Sequence, residues 1–288
     1  MDTLTLDDST VGYDRSGTGP GLLLVPGGAG HGGVLERFAL RLADHHDVVT
    51  MTTRAASAQR GGTAGNQSPT AHAQDAIGLI DHLFDTPPIV FGFSSGAVTA
   101  LELLARRPDR VRRAVVHEPP LVNLLPNAPA YRAALEAVRD AALAGDRAKA
   151  DELMNAAMTA PVPNDTAPPE VRHTGTWTEG YADTAPEPPS PALLELFART
   201  EGLHRLMLEH ILVPFASHEP DPAVLRAHGD QLVPVAGVDS RGQLPHRAVS
   251  ALAAGLGLPL TELPGGHLGP VERPTQFAAA FTELLATL

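Results

Sequence analysis

The chain contains no cysteine, which rules out disulfides, a thiolate nucleophile and zinc held by thiolates. The redox compartment is therefore not written in the sequence. Basic residues are also scarce: 21 Lys and Arg stand against 33 Asp and Glu, for a net charge of −12, and no Lys/Arg-rich run interrupts that acidic surface. Nucleic acid and anionic membrane are poor partners for such a chain. Apolar runs are only a few residues long, and the opening MDTLTLDDST has neither the basic start nor the apolar centre of a signal peptide. A cytoplasmic protein is expected. No internal repeat is present.

What the chain does have is enough length, at 288 residues, and enough apolar content, at 43%, to bury a large core. Short β-rich runs alternate with helical patterns. TLTL and TVGYDRSG read as two opening strands joined at Asp7-Asp8, followed by strands over 22–25, 47–52, 89–93 and 112–117. Helices are predicted between them over 34–43, 70–84 and 95–105. From about Pro119 the alternation stops. Helical patterns over 131–143, 147–158 and 191–211 are separated by proline-rich loops such as APVPNDTAPPE. Strand and helix resume with 232–238, 244–256, 258–263 and 271–288. Eight strands bounded by helices predict an α/β fold with a mostly parallel sheet covered on both faces. Residues 1–118 and 232–288 would form the core domain, and residues 119–231 a helical cap over the carboxyl edge of the sheet, where ligands bind in such folds.

At one point a polar residue interrupts this pattern where packing does not call for it. Gly92-Phe93-Ser94-Ser95-Gly96 places G-x-S-x-G where the strand 89–93 gives way to a helix. That context suits a serine held on a sharp turn, its hydroxyl raised above the sheet and the amides of the following helix aimed at any negative charge beside it. The plain alternative is a tight turn whose serines cap the helix. A serine hydroxyl needs a base. Of thirteen histidines, His267 in ELPGGHLGP stands between the last strand and the last helix, at the same sheet edge as Ser94, and the order serine then histidine is that of this hydrolase type.

An acid to orient the histidine has two candidates. Asp239 in PVAGVDSRGQ follows the penultimate strand, and Glu118 in AVVHEPP follows the strand after the serine helix. Spacing does not decide between them. The loop VPGGAGHGG, residues 25–33, is open enough for backbone amides to approach a ligand, so the N–H groups of Gly28 and Ser95 are the candidate oxyanion donors. Gly27, Ala29 and His31 of that loop are candidate substrate contacts. The loop lacks the lysine of a P-loop and the G-x-G-x-x-G order. The reading calls for no cofactor and no metal.

LLLVPGG, GFSSGA, PDRVRRAVV and LPGGHLGPVERP, in this order, resemble the α/β-hydrolase superfamily over essentially the whole chain. Within it the sequence resembles the zearalenone lactonases, through the G-x-S-S-G-A elbow and through PDR followed by a strand ending His117-Glu118-Pro119-Pro120. That resemblance implies Glu118 as the acid. It also implies pocket roles for Trp177 and for the tyrosine of TWTEGYAD, which is Tyr181, just ahead of Ala182. The chain departs from many relatives after the fourth strand, where Thr52 and Ala55 replace the Asp and Gly of a D-x-x-G turn.

Together these readings predict a serine hydrolase of carboxylic esters, most concretely of a macrocyclic lactone of the zearalenone type. The rivals on the same fold are a general carboxylesterase, a metal-free haloperoxidase or perhydrolase, and a non-enzymatic small-molecule receptor. The expected partner is a small-molecule ester or lactone; self-association into a homo-oligomer is left open.

Overall fold

The computed structural model describes residues 1–58, 67–160, 168–175, 177–178, 181 and 184–288. Its centre is a sheet of nine strands among the described residues: β1 (Asp2–Thr5), β2 (Thr10–Ser16), β3 (Gly21–Val25), β4 (Asp47–Thr52), β5 (Ile89–Phe93), β6 (Arg113–His117), β7 (Val171–His173), β8 (Leu232–Gly237) and β9 (Leu260–Leu263). Their spatial order is β1-β2-β4-β3-β5-β6-β8-β9-β7. β1 pairs with β2, and β2 with β4, in antiparallel fashion, and every other pairing is parallel.

The central strands are continuous apolar runs because both of their faces are covered. Period-two alternation then sorts their side chains to opposite faces. Leu23, Val25 and Val90 point into one core with the helices α3 (Pro69–Leu83) and α4 (Ser95–Arg106). Leu22, Leu24, Ile89, Phe91 and Phe93 point into the other, with α1 (Glu36–Leu42) and the C-terminal helix Pro274–Leu285. In that second core Phe38 meets Phe91 and Phe277 at 5.3 Å and Phe281 at 5.4 Å, edge to face, so half of the chain's eight phenylalanines lock α1 and the last helix to the sheet.

α2 (Arg54–Ala58) follows β4 directly and starts with a buried arginine. Asp75 of α3 neutralises it through Nε–Oδ2 at 2.6 Å and Nη2–Oδ1 at 2.7 Å.

Between β6 and β8 lie α5 (Ala128–Leu143), α6 (Arg147–Thr159), α7 (Pro191–Arg199), α8 (Glu201–Leu206), α9 (Leu212–Ala216) and α10 (Pro222–Ala227). Leu135, Val138 and Ala142 of α5 form a separate apolar cluster with Leu208 and Leu212, and with Leu244 and Ala248 of α11 (Leu244–Leu256), which anchors this segment to the sheet's own helices. The single helix expected over 191–211 is broken at Thr200, and its last turn, Met207–Ile211, is a π turn.

The same segment also supplies β7, which the sequence pattern did not reveal. Val-Arg-His is exposed and only three residues long, and it reaches the sheet edge by pairing with Leu260–Glu262, helped by His173 Nε2 at 3.0 Å from Glu262 Oε2. Most of the loop 161–170 that precedes it lies outside the described residues. Among the described residues no helix is long and apolar enough to cross a membrane.

Candidate functional site

Ser94 occupies the turn from β5 into α4 with φ 57° and ψ −122°, a backbone conformation costly for a side-chain-bearing residue. The surrounding glycines exist to permit this turn. A Cβ on Gly92 would lie 2.3 Å from the Gly96 carbonyl oxygen, and one on Gly96 would lie 2.2 Å from that of Val25. Ser94 stands at the N-cap position of α4, yet its hydroxyl makes no capping hydrogen bond. The Ser95 hydroxyl does not cap either; it donates to the Gly28 carbonyl at 3.1 Å.

The Ser94 hydroxyl instead meets His267, with Nε2 and Oγ 3.0 Å apart. His267 lies between β9 and the short helix α12 (Gly269–Glu272), and its Nδ1 is 2.9 Å from Glu118 Oε2. Glu118 is wholly buried, one residue past the end of β6, and holds a left-handed backbone with φ 50°. Its other oxygen, Oε1, accepts from the Gly237 N–H at 2.8 Å and from the Ser240 hydroxyl. Burial alone would raise the Glu118 carboxyl. The hydrogen bond to His267, the adjoining His117 and the Ser240 hydroxyl outweigh it and hold the group down at about 2, so it is ionised at neutral pH. His117 is also fully buried, edge to face with Phe277 at 5.3 Å, and burial lowers it to about 4; it is a neutral wall of the core.

The second acid candidate is elsewhere. Asp239 Oδ2 accepts from the Tyr181 hydroxyl at 2.7 Å and lies 3.6 Å from Arg273 Nε, with its side chain half exposed. Tyr181 accepts in turn from the Gly265 N–H at 2.6 Å, and burial, then Asp239, push its phenol up to about 12. Tyr181 thus braces the loop that carries His267, two residues away. Trp177 packs edge to face on Tyr181 at 5.2 Å. Neither residue is part of the cavity lining around Ser94, so the structure does not bring these two expected contacts to the serine. Gly180 and Ala182 of that motif lie outside the described residues.

The loop of residues 25–33 does reach the serine. A Cβ on Gly27 would lie 2.7 Å from that of Ser94. Thr52 and Thr53 hold the loop from below: Thr52 Oγ1 accepts from the Gly32 N–H at 2.9 Å, and the Thr53 hydroxyl donates to the Ala29 carbonyl at 2.9 Å. Among the described residues neither the Gly28 nor the Ser95 N–H donates to a protein acceptor, which leaves both able to serve a ligand. Ala29 and His31 line a smaller adjoining cavity of about 350 Å³, and His31 Nδ1 also caps the turn after it by accepting from Gly33 N–H at 3.1 Å.

Ser94 and His267 open into a cavity of about 590 Å³, within the range of small-molecule sites. Gly27, Gly28, Phe93 and Leu268 line it from the sheet side. The helical segment lines it with residues sequence reasoning did not single out, among them Met154, Met158, Phe197, Met207 and Ile211. Met154 and Met158, and Met207 and Ile211, are spaced four apart, a signal of a shared helix face; what that face meets is a tertiary fact. Among the described residues no group of three His, Asp or Glu side chains is arranged to hold a metal ion.

Residues 22–280 match the family model described as the alpha/beta hydrolase family. Among curated proteins, an uncharacterised hydrolase, YraK, of Bacillus subtilis is 27% identical over 98% of this chain and 95% of its own length. The zearalenone hydrolase of Bionectria ochroleuca is 34% identical over 113 residues, 38% of this chain and 42% of that protein. Among solved structures, a thermophilic esterase from Thermogutta terrifontis superposes with a TM-score of 0.64 at 17% identity, over 100% of this chain and 99% of its own; at that identity it speaks to the fold.

Proposed function

The chain belongs to the alpha/beta hydrolase family, and on that premise we propose that it cleaves carboxylic esters through an acyl-enzyme on Ser94. The observation that carries this reading is the run of contacts from Ser94 Oγ to His267 Nε2 at 3.0 Å and from His267 Nδ1 to Glu118 Oε2 at 2.9 Å, beside an apolar cavity. His267 takes the Ser94 proton on Nε2 as Oγ attacks the ester carbonyl. The buried Glu118 carboxylate fixes the tautomer with the proton on Nδ1 and stabilises the imidazolium that forms. The N–H groups of Gly28 and Ser95 receive the oxyanion, each such donor being worth roughly 2.7–4 kcal/mol in the barrier. Collapse of the tetrahedral intermediate expels the alkoxide, which His267 protonates, and water activated by the same imidazole frees the acyl group.

Residues 119–231 act as the cap of this cavity. Met207 Cγ lies 4.0 Å from where a Cβ on Gly28 would stand, which sets the π turn directly above the oxyanion loop. π turns often occur where a helix serves a site. The substrate proposed is a macrocyclic lactone of the zearalenone type. It is supported by the local similarity to a zearalenone hydrolase and by a cavity large and apolar enough for a bulky neutral ester. The test is incubation of the purified protein with zearalenone beside a panel of simple esters and lactones, read by chromatography, with the Ser94→Ala variant as control. Ring-opened product from the wild type and none from the variant is expected. Hydrolysis of simple esters alone removes the lactone assignment, and undiminished hydrolysis by Ser94→Ala removes the mechanism.

A further inference from the structure

The Ser94 cavity is not uniformly apolar. Besides the polar groups around the reacting serine, its lining includes polar side chains on the helical segment: Asp151, Asn155 and Thr159 of α6 and His204 of α8. On α6, Asp151, Asn155 and Thr159 recur every four residues, so they share one stripe of the helix, about 12 Å long at 1.5 Å per residue. All three line the cavity. Met154 and Met158 flank that stripe, and a helix meant only to close an apolar pocket would place more such residues there.

We propose that Asp151, Asn155 and His204 form a recognition subsite for a neutral hydroxyl group on the part of the ester that does not react. The proposal rests on the ester-hydrolase reading and narrows its substrate class.

Three features decide the ligand chemistry. First, the charged groups already have partners within the protein. Asp151 Oδ1 is 2.6 Å from His204 Nε2, its Oδ2 is 3.8 Å from Arg147 Nε, and Arg147 pairs on its other side with Glu201. An ionic ligand would have to compete with these existing contacts. Second, the Asn155 side-chain amide has no hydrogen-bond partner among the described residues and offers a donor and an acceptor together, which suits a hydroxyl that is both. Thr159 is not a competitor, because its hydroxyl is spent on the Asn155 carbonyl at 2.7 Å. Third, with Nε2 committed to Asp151, His204 keeps Nδ1 for one further hydrogen bond, which a hydroxyl can complete as donor or as acceptor. Asp151 and His204 already hold each other in place for such a hydroxyl, and Asn155 is left to turn toward it.

Binding to the Ser94→Ala protein, measured by titration calorimetry, tests the subsite without turnover. Two matched pairs cover both ends of an ester: 4-nitrophenyl octanoate against its ω-hydroxyoctanoate, and octyl benzoate against ω-hydroxyoctyl benzoate. In at least one pair the hydroxylated ester should bind about threefold to tenfold more tightly, the worth of one net hydrogen bond. That preference should vanish in Asn155→Leu and shrink in His204→Phe, with melting curves confirming that both variants fold.

Equal affinities in both pairs, a preference that survives both substitutions, or tighter binding of an ω-amino ester than of its hydroxyl counterpart would each overturn the proposal. Turnover by the protein with Ser94 intact is scored separately. Hydrolysis without the preference removes the subsite alone, and the preference without hydrolysis removes the hydrolase reading alone.

Discussion

Replacing Glu118 by glutamine tests the reading at its most specific point, because the structure dictates how the new amide must sit. Glu118 Oε1 receives two donors, the Gly237 N–H at 2.8 Å and the Ser240 hydroxyl. In the Glu118→Gln variant the side chain keeps a single acceptor, its amide oxygen, and those two donors hold it in place. The amide NH2 is then turned toward His267 Nδ1. Nδ1 must accept, which moves the imidazole proton to Nε2, facing Ser94. A ring protonated on Nε2 cannot take the serine proton. The same tautomer error in a related triad costs about 10⁴ in turnover, which at about 1.4 kcal/mol per tenfold is roughly 5 kcal/mol of barrier. Asp239→Asn, by contrast, changes a half-exposed group bonded to Tyr181, and a loss below tenfold is expected. The assay is turnover of a 4-nitrophenyl ester by both variants near neutral pH, with melting curves to establish that each is folded. If Glu118→Gln keeps turnover within tenfold of wild type while Asp239→Asn loses several orders of magnitude, the acid is Asp239 and the role given to Glu118 is refuted.

Other consequences are cheaper to check. Asp75→Asn should cost about 3–5 kcal/mol in urea unfolding, since it strands the buried Arg54, whose other partner Asp8 is largely exposed; a loss under about 1 kcal/mol would contradict this. Gly92→Ala should cost about 3 kcal/mol or more, because its methyl meets backbone at 2.3 Å, whereas Gly255→Ala, inside α11 with open space around it, should gain about 0.5–1 kcal/mol. The Glu118 carboxyl, lowered from 4.5 to about 2, contributes stability that is complete above pH 4.5 and lost as pH falls through 2. Unfolding midpoints should therefore drop between those values in the wild type and do so less steeply in Glu118→Gln.

The strands that position the site were legible because they are buried on both faces and so read as unbroken apolar runs. Leu22 to Val25 and Ile89 to Phe93 carry enough of that signal without any partner in view. β7 carries none. Val171, Arg172 and His173 are exposed, and what makes them a strand is the free edge of β9 and the Glu262 carboxylate beside His173. The helical lining of the cavity was illegible for a related reason. Met154 and Met158 announce a helix face, but whether such a face meets core, solvent or ligand depends on where α6 comes to rest.

The acid is the instructive case, since the residues alone left Glu118 and Asp239 equally placed and only resemblance separated them. In the structure the two positions are complementary. The loop after β8, where Asp239 stands, gives the Gly237 N–H and the Ser240 hydroxyl to Glu118, and Asp239 itself turns away to Tyr181. Glu118 reaches His267 only because its backbone takes a left-handed turn at the end of β6, a conformation that β-strand patterning does not encode. A carboxylate so deeply buried stays ionised because three donors converge on it. Which carboxylate meets the imidazole is thus decided by where hydrogen-bond donors collect, and those donors come from a part of the chain more than a hundred residues away.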